Sequence, residues 1–108
     1  MLIEITPMEL ASLLARTGDD APYLLDVREQ WEWDLVHLPD SVHLPMQRIP
    51  SNHGTLPADR LIVAICHHGV RSLQVAHFLQ SIGLQQVASL RGGIDAWSTQ
   101  IDPTLSRY

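Results

Sequence analysis

Five apolar residues in a row, Leu61-Ile62-Val63-Ala64-Ile65, run directly into the only cysteine of the chain, Cys66. A strand with one wet face alternates apolar and polar side chains. This run does not alternate, so both of its faces need cover. That requirement points to the central strand of a parallel sheet with helices on either side. The residues that follow agree. His67-His68-Gly69-Val70-Arg71 is a polar turn, and over 72–82 the side chains of Val75, Ala76, Leu79 and Ile82 share one helical face before Gly83 ends the helix.

The rest of the chain has the same rhythm. Thr6-Pro7-Met8-Glu9 opens a helix: Thr6 caps, Pro7 suits the first turn and Glu9 completes a capping box. Leu10, Leu13 and Leu14 form its apolar face, and Gly18 follows its end. Tyr23-Leu24-Leu25-Asp26-Val27 reads as a strand, and 28–35 as a short helix or turn. Pro39-Asp40 makes a turn into a short strand at 41–44, which Pro45 stops. Residues 46–49 read as one helical turn before Pro50, and 51–60 as a surface loop. Gln86-Val87-Ala88-Ser89-Leu90 is a last strand, and Arg91-Gly92-Gly93 turns into a short helix at 94–97. The segment 98–108, with Pro103, is expected to be a less ordered tail. Alternating strands and helices predict a small α/β domain spanning 1–108. Its sheet of about five strands is mainly parallel and covered by helices on both faces.

Composition narrows the function. A net charge of -5 argues against broad nucleic-acid binding. All seven cationic side chains are arginine, so lysine chemistry is excluded. One cysteine forms no internal disulfide, which favours a reducing compartment. Met1-Leu2-Ile3-Glu4 meets an acid early and does not open a signal peptide. No stretch approaches the ~20 apolar residues of a membrane span. A soluble, cytoplasmic protein is expected.

In open α/β sheets the functional crevice lies beyond the carboxyl ends of the strands, and Cys66 sits at such an end. A free thiol titrates near about 8.5, and helix N-termini or nearby cations lower that value. The backbone N–H groups of 67–72 can form an anion cradle, Gly69 allows the tight turn, Arg71 adds charge and Ser72 can cap the helix. A lone cysteine without context is most often inert and buried. A polar His-His-Gly-Val-Arg-Ser sequence after it is poor core material and favours a nucleophile. The spacing Cys66-x4-Arg71 is one residue shorter than the Cys-x5-Arg loop of cysteine phosphatases. It fits a smaller electrophile, such as a sulfane sulfur.

Three segments carry a resemblance. Leu24-Leu25-Asp26-Val27-Arg28-Glu29 with Trp31-Glu32 resembles an Asp-Val-Arg motif, and 37–45 resembles a Gly-His-Ile-Pro-Gly-Ala stretch. The third comprises Cys66 to Ser72 and Leu90-Arg91-Gly92-Gly93-Ile94-Asp95-Ala96-Trp97. Together, in this order, they are similar to the single-domain members of the rhodanese-like sulfurtransferase family. Val36 stands where the family often has glycine, and Asp40 replaces the glycine after the proline. The resemblance implies that Cys66 attacks the outer sulfur of a donor such as thiosulfate and becomes a persulfide. An acceptor, cyanide in an assay or a thiol or protein in the cell, then takes the sulfur. It also implies that His67, His68, Gly69, Val70, Arg71 and Ser72 bind the substrate. With no second cysteine, the sulfur has to leave to another molecule.

Other residues have plainer readings. Asp26 and Arg28 either border the crevice or form a buried structural pair. Arg71 either contacts substrate or braces the loop on a carboxylate such as Asp26. His37 and His43 are expected to be structural hydrogen-bonders. Trp31, Trp33 and Trp97 are expected to pack, and Glu29, Glu32 and Asp34 to form a solvated face. No metal or cofactor is expected, because the histidines and the cysteine lack the spacing of a metal site. The competing functions are a small cysteine phosphatase or arsenate reductase, and a non-catalytic binding module.

Overall fold

The apolar run becomes β4 (Ile62–Ile65), buried along its whole length. The computed structural model describes residues 3–16 and 21–108. Within them β4 lies at the middle of a five-stranded sheet with β1 (Glu4–Ile5), β2 (Tyr23–Asp26), β3 (Val42–His43) and β5 (Val87–Leu90). The order is β1-β5-β4-β2-β3, and every pairing is parallel. The expected α/β architecture is therefore present, and β1 is a strand the sequence did not reveal.

Side-chain alternation splits the core in two. Leu25, Val27, Ile62, Ala64, Cys66 and Val87 face one side, where Val75, Ala76 and Leu79 of α4 (Val70–Ser81) cover them with Ile49 of α3 (Ile49–Asn52). Leu24, Val63, Ile65, Ala88 and Leu90 face the other, under Leu10 of α1 (Pro7–Leu14) and Ile94 and Trp97 of α5 (Gly93–Gln100). Each fully buried Val or Leu contributes about 1.5–3 kcal/mol of transfer free energy. Both layers thus hold the sheet that presents Cys66.

Thr6 and Glu9 form the expected capping box on α1. Gly18, expected to follow that helix, lies outside the described residues. Pro50 does not end a helical turn. A 3-10 turn, Met46–Arg48, runs into α3, and Pro50 occupies its first turn, where a missing N–H costs nothing. The expected loop at 51–60 accordingly begins with helical structure. Helix α5 is longer than foreseen, and the segment beyond it is held. The Ser98 hydroxyl donates to the Leu105 carbonyl at 3.0 Å, and Arg107 bonds both oxygens of Asp95 at 2.9 and 3.3 Å. The picture of a loose tail from 98 is replaced by a packed one, because Leu105 and Tyr108 lie against the core.

Candidate active site

Strand β4 delivers Cys66 onto the α4 side of the sheet, following Ile62 and Ala64. The chain then turns back over the sulfur. Gly69 makes this turn with φ +103°, a left-handed conformation that L side chains rarely adopt. A Cβ there would also press on Gly92 N at 3.1 Å and Leu90 O at 3.3 Å. The turn places the Gly69 N–H 3.0 Å and the Ser72 N–H 3.4 Å from Sγ. Ser72 Oγ lies 3.3 Å from Sγ and 2.7 Å from Ser89 Oγ on β5. Cys66 is only 1% exposed. Its sulfur therefore sits at the amino end of α4 among donors able to bond an anion in a dry setting.

The hydroxyl of Ser72 does not cap α4. Gly69 occupies the cap position, and Ser72 lies inside the first turn with its hydroxyl on the sulfur and on Ser89. Ser89 is a site residue that sequence reasoning missed. Its only signal is a polar residue in the middle of an otherwise apolar strand.

Helix α5 backs the loop. The N–H groups of Ile94 and Asp95 donate to the carbonyls of Cys66 and His67 at 2.8 and 3.1 Å. The approach is close enough that a Cβ on Gly93, whose φ is +63°, would collide with both carbonyls. Thus the Gly92-Gly93 pair, far beyond the cysteine in the chain, shapes the Cys66 loop.

Arg71 is braced, and its partner is not Asp26. Its Nη1 and Nη2 donate to Glu32 Oε2 and Oε1 at 2.6 and 2.8 Å. Glu32 also accepts from the Glu29 N–H at 2.9 Å and the Tyr108 hydroxyl at 2.8 Å. Burial pushes its carboxyl up, but the bonds from Arg71, the backbone and Tyr108 outweigh it and hold it at about 2. The expected solvated acidic face is thus corrected at Glu32 of α2 (Gln30–Leu35), which is buried, while Glu29 and Asp34 are exposed.

Asp26 and Arg28 form a buried pair. Arg28 Nε and Nη2 donate to Asp26 Oδ1 and Oδ2 at 2.9 and 2.7 Å, and Nη2 also reaches the Val36 carbonyl at 2.6 Å. Burial pulls the guanidinium down, but bonds to Asp26 and Tyr108 raise it above its ordinary value. Arg28 Nη1 donates to the Tyr108 hydroxyl at 2.8 Å, so the link from this pair to the loop runs through Tyr108 and Glu32 to Arg71. His43 Nε2 contacts the Arg28 carbonyl at 2.7 Å, and His37 Nδ1 the Trp33 carbonyl at 2.9 Å, so both make structural hydrogen bonds. Trp33 stacks on both rings and Trp97 is buried, but Trp31 is exposed and meets Tyr108 edge-on.

His67 lies between His68 and Tyr108, with ring centroids 3.9 Å away on each side. Burial, then the neighbouring His68, lowers its pKa and favours the neutral ring. The His68 side chain and Val70 are exposed at the rim. One ligand atom from each of His67, His68 and Asp95 lies within 4.8 Å of the others. The two histidine rings are stacked, with planes 27° apart. Asp95 is already engaged by Arg107.

A family model, that of the Rhodanese-like domain, matches residues 6–100. The chain belongs to this family. A relative from Allochromatium vinosum named "Sulfurtransferase" is 39% identical, over 91% of this chain and 90% of its own length. The probable adenylyltransferase/sulfurtransferase MoeZ of Mycobacterium tuberculosis is 38% identical over 96% of this chain. There the chain spans only 26% of the relative's length. Among solved structures, a rhodanese-like domain protein from Staphylococcus aureus is 28% identical with a TM-score of 0.83, covering 100% of this chain and 99% of its own.

Proposed function

We propose that this chain is a sulfurtransferase that carries sulfur on Cys66. One observation supports the reading above all others: Sγ lies 3.0 Å from the Gly69 N–H inside a Cys-x4-Arg loop that opens α4. Family membership and the sulfurtransferase names of relatives support it as well. With thiosulfate as donor, the Cys66 thiolate attacks the outer sulfur. The Sγ–S bond forms, the donor S–S bond breaks, and sulfite leaves with the electron pair. Cyanide or a thiolate then attacks the outer sulfur of the persulfide, and the S–S electron pair returns to Sγ. No net oxidation occurs, and no cofactor enters.

The loop residues divide the work. The Gly69 and Ser72 N–H groups hold the negative sulfur, and the Ser72 hydroxyl, 2.7 Å from Ser89 Oγ, lies 3.3 Å from Sγ. His67, His68 and Val70 line the donor's approach. Arg71, fixed by Glu32, adds positive potential beside the persulfide. Asp26 and Arg28 support the network from below. We take 1–108 as one rhodanese-like domain. No helix among the described residues is long and apolar enough to cross a membrane. A single cysteine that discharges to an outside thiol fits the reducing cytoplasm.

The test is thiocyanate release from thiosulfate, or from a mercaptoacid or persulfide donor, in the presence of cyanide. Wild type is expected to turn over, and Cys66→Ser to fall below about a thousandth of its kcat/KM. A Cys66→Ser protein that keeps the wild-type rate overturns the proposal.

A further inference from the structure

Tyr108 lies beyond the 6–100 stretch that matches the family model, yet its side chain meets the candidate site in three ways. Its ring stacks on His67 with centroids 3.9 Å apart and planes 10° apart. Its hydroxyl donates to Glu32 Oε1 at 2.8 Å and accepts from Arg28 Nη1 at 2.8 Å. The segment carrying it is anchored by Leu105 in the core, by Ser98 on the Leu105 carbonyl and by Arg107 on Asp95.

These contacts fall on both ends of the cysteine loop. His67 immediately follows Cys66, and Glu32 grips Arg71, the last loop residue before Ser72. The loop is thus clamped at its first and last turns by one side chain. Burial pushes the Tyr108 hydroxyl up to about 12, so it remains a donor to Glu32 at neutral pH.

We propose that Tyr108 is a positioning residue of the Cys66 site: it ties His67 and the Glu32–Arg71 pair to one side chain and so fixes the loop around the sulfur. The assignment rests on the sulfurtransferase reading above. Without Tyr108, His67 loses its stack and Glu32 one of its four hydrogen bonds. The loop then spends less time with the Gly69 and Ser72 N–H groups aimed at Sγ. Tyr108 acts through other residues and does not touch the donor. The loss therefore falls on the rate of sulfur loading and not on donor affinity.

The experiment measures how fast Cys66 gains one sulfur atom, by rapid mixing with thiosulfate at several concentrations and intact-mass detection. Tyr108→Ala is expected to load about tenfold more slowly, with the half-saturating donor concentration changed by less than about twofold. Tyr108→Phe keeps the stack and loses only the hydroxyl, and is expected to load about threefold more slowly than wild type. A role confined to stability would move the melting temperature and leave this split untouched. Should Tyr108→Ala not fold, Tyr108→Phe decides alone, and a wild-type loading rate in it overturns the assignment. If wild type loads and both variants match it, or if the whole loss lies in donor affinity, the assignment is overturned by itself. Wild type that takes no sulfur from thiosulfate or from a low-molecular-weight persulfide overturns the sulfurtransferase reading and this assignment with it.

Discussion

At Glu32, burial and hydrogen bonding pull in opposite directions, and the bonds win. The carboxyl is held at about 2 in the folded chain against an ordinary 4.5. A depressed carboxyl stabilises the fold fully above its unfolded value and loses that contribution as pH falls toward its folded value. Glu32 should thus contribute about 2–3 kcal/mol at neutral pH, fading between pH 4.5 and about 2. Glu32→Gln keeps the shape and removes the charge. Urea unfolding should show it about 2–3 kcal/mol less stable than wild type at pH 7, with the gap roughly halved at pH 3. An equal gap at both pH values contradicts this account of Arg71. The grouping of Cys66, Gly69 and Arg71 in one loop was legible because they fall within six consecutive positions. That of Glu32 and Tyr108 was not, because their partners lie 39 and 76 positions away and only the fold brings them together.

Among the elements, the turn from β5 into α5 controls the loop from outside it. A methyl group on Gly93 meets the Cys66 and His67 carbonyls, and φ is +63° there. Gly93→Ala is expected to cost about 3 kcal/mol in chemical unfolding and to slow sulfur loading. Gly54, where an added Cβ would meet nothing within 4 Å, is the control, and Gly54→Ala should stay within about 0.5 kcal/mol of wild type. Equal stability of the two variants contradicts the proposed role of the turn. The two departures from the family pattern also find their reasons in backbone geometry. Asp40 sits at φ +62°, where glycine is usual and aspartate is tolerated. Val36 is extended at φ -164°, a conformation that suits a β-branched residue. Strands β2, β4 and β5 and helices α1 and α4 were readable from apolar pattern and caps. The two-residue strand β1 was not, because it is defined by its register against Ser89 and Leu90 rather than by any pattern of its own.

Across the whole molecule, the order β1-β5-β4-β2-β3 brings three strand ends to one edge: β2 with Asp26, β4 with Cys66, and β5 with the Gly92-Gly93 turn. Parallel pairing makes this convergence unavoidable, since every carboxyl end points the same way. The sequence could therefore place the site at a strand end without knowing the strand order. It could not foresee that the segment after α5 folds back over the site. No periodicity marks residues 101–108, and their hold comes from isolated contacts such as Arg107 with Asp95 and Tyr108 with Glu32. The molecule that results is a parallel sheet with the chain's one thiol just past the carboxyl end of its central strand. Intact-mass measurement after incubation with a sulfane donor tests this account most directly. Wild type should gain one sulfur atom, lose it on addition of cyanide or a thiol, and show neither change as Cys66→Ser. Wild type that gains no sulfur from any donor in the panel, or Cys66→Ser that gains it equally, would contradict the account.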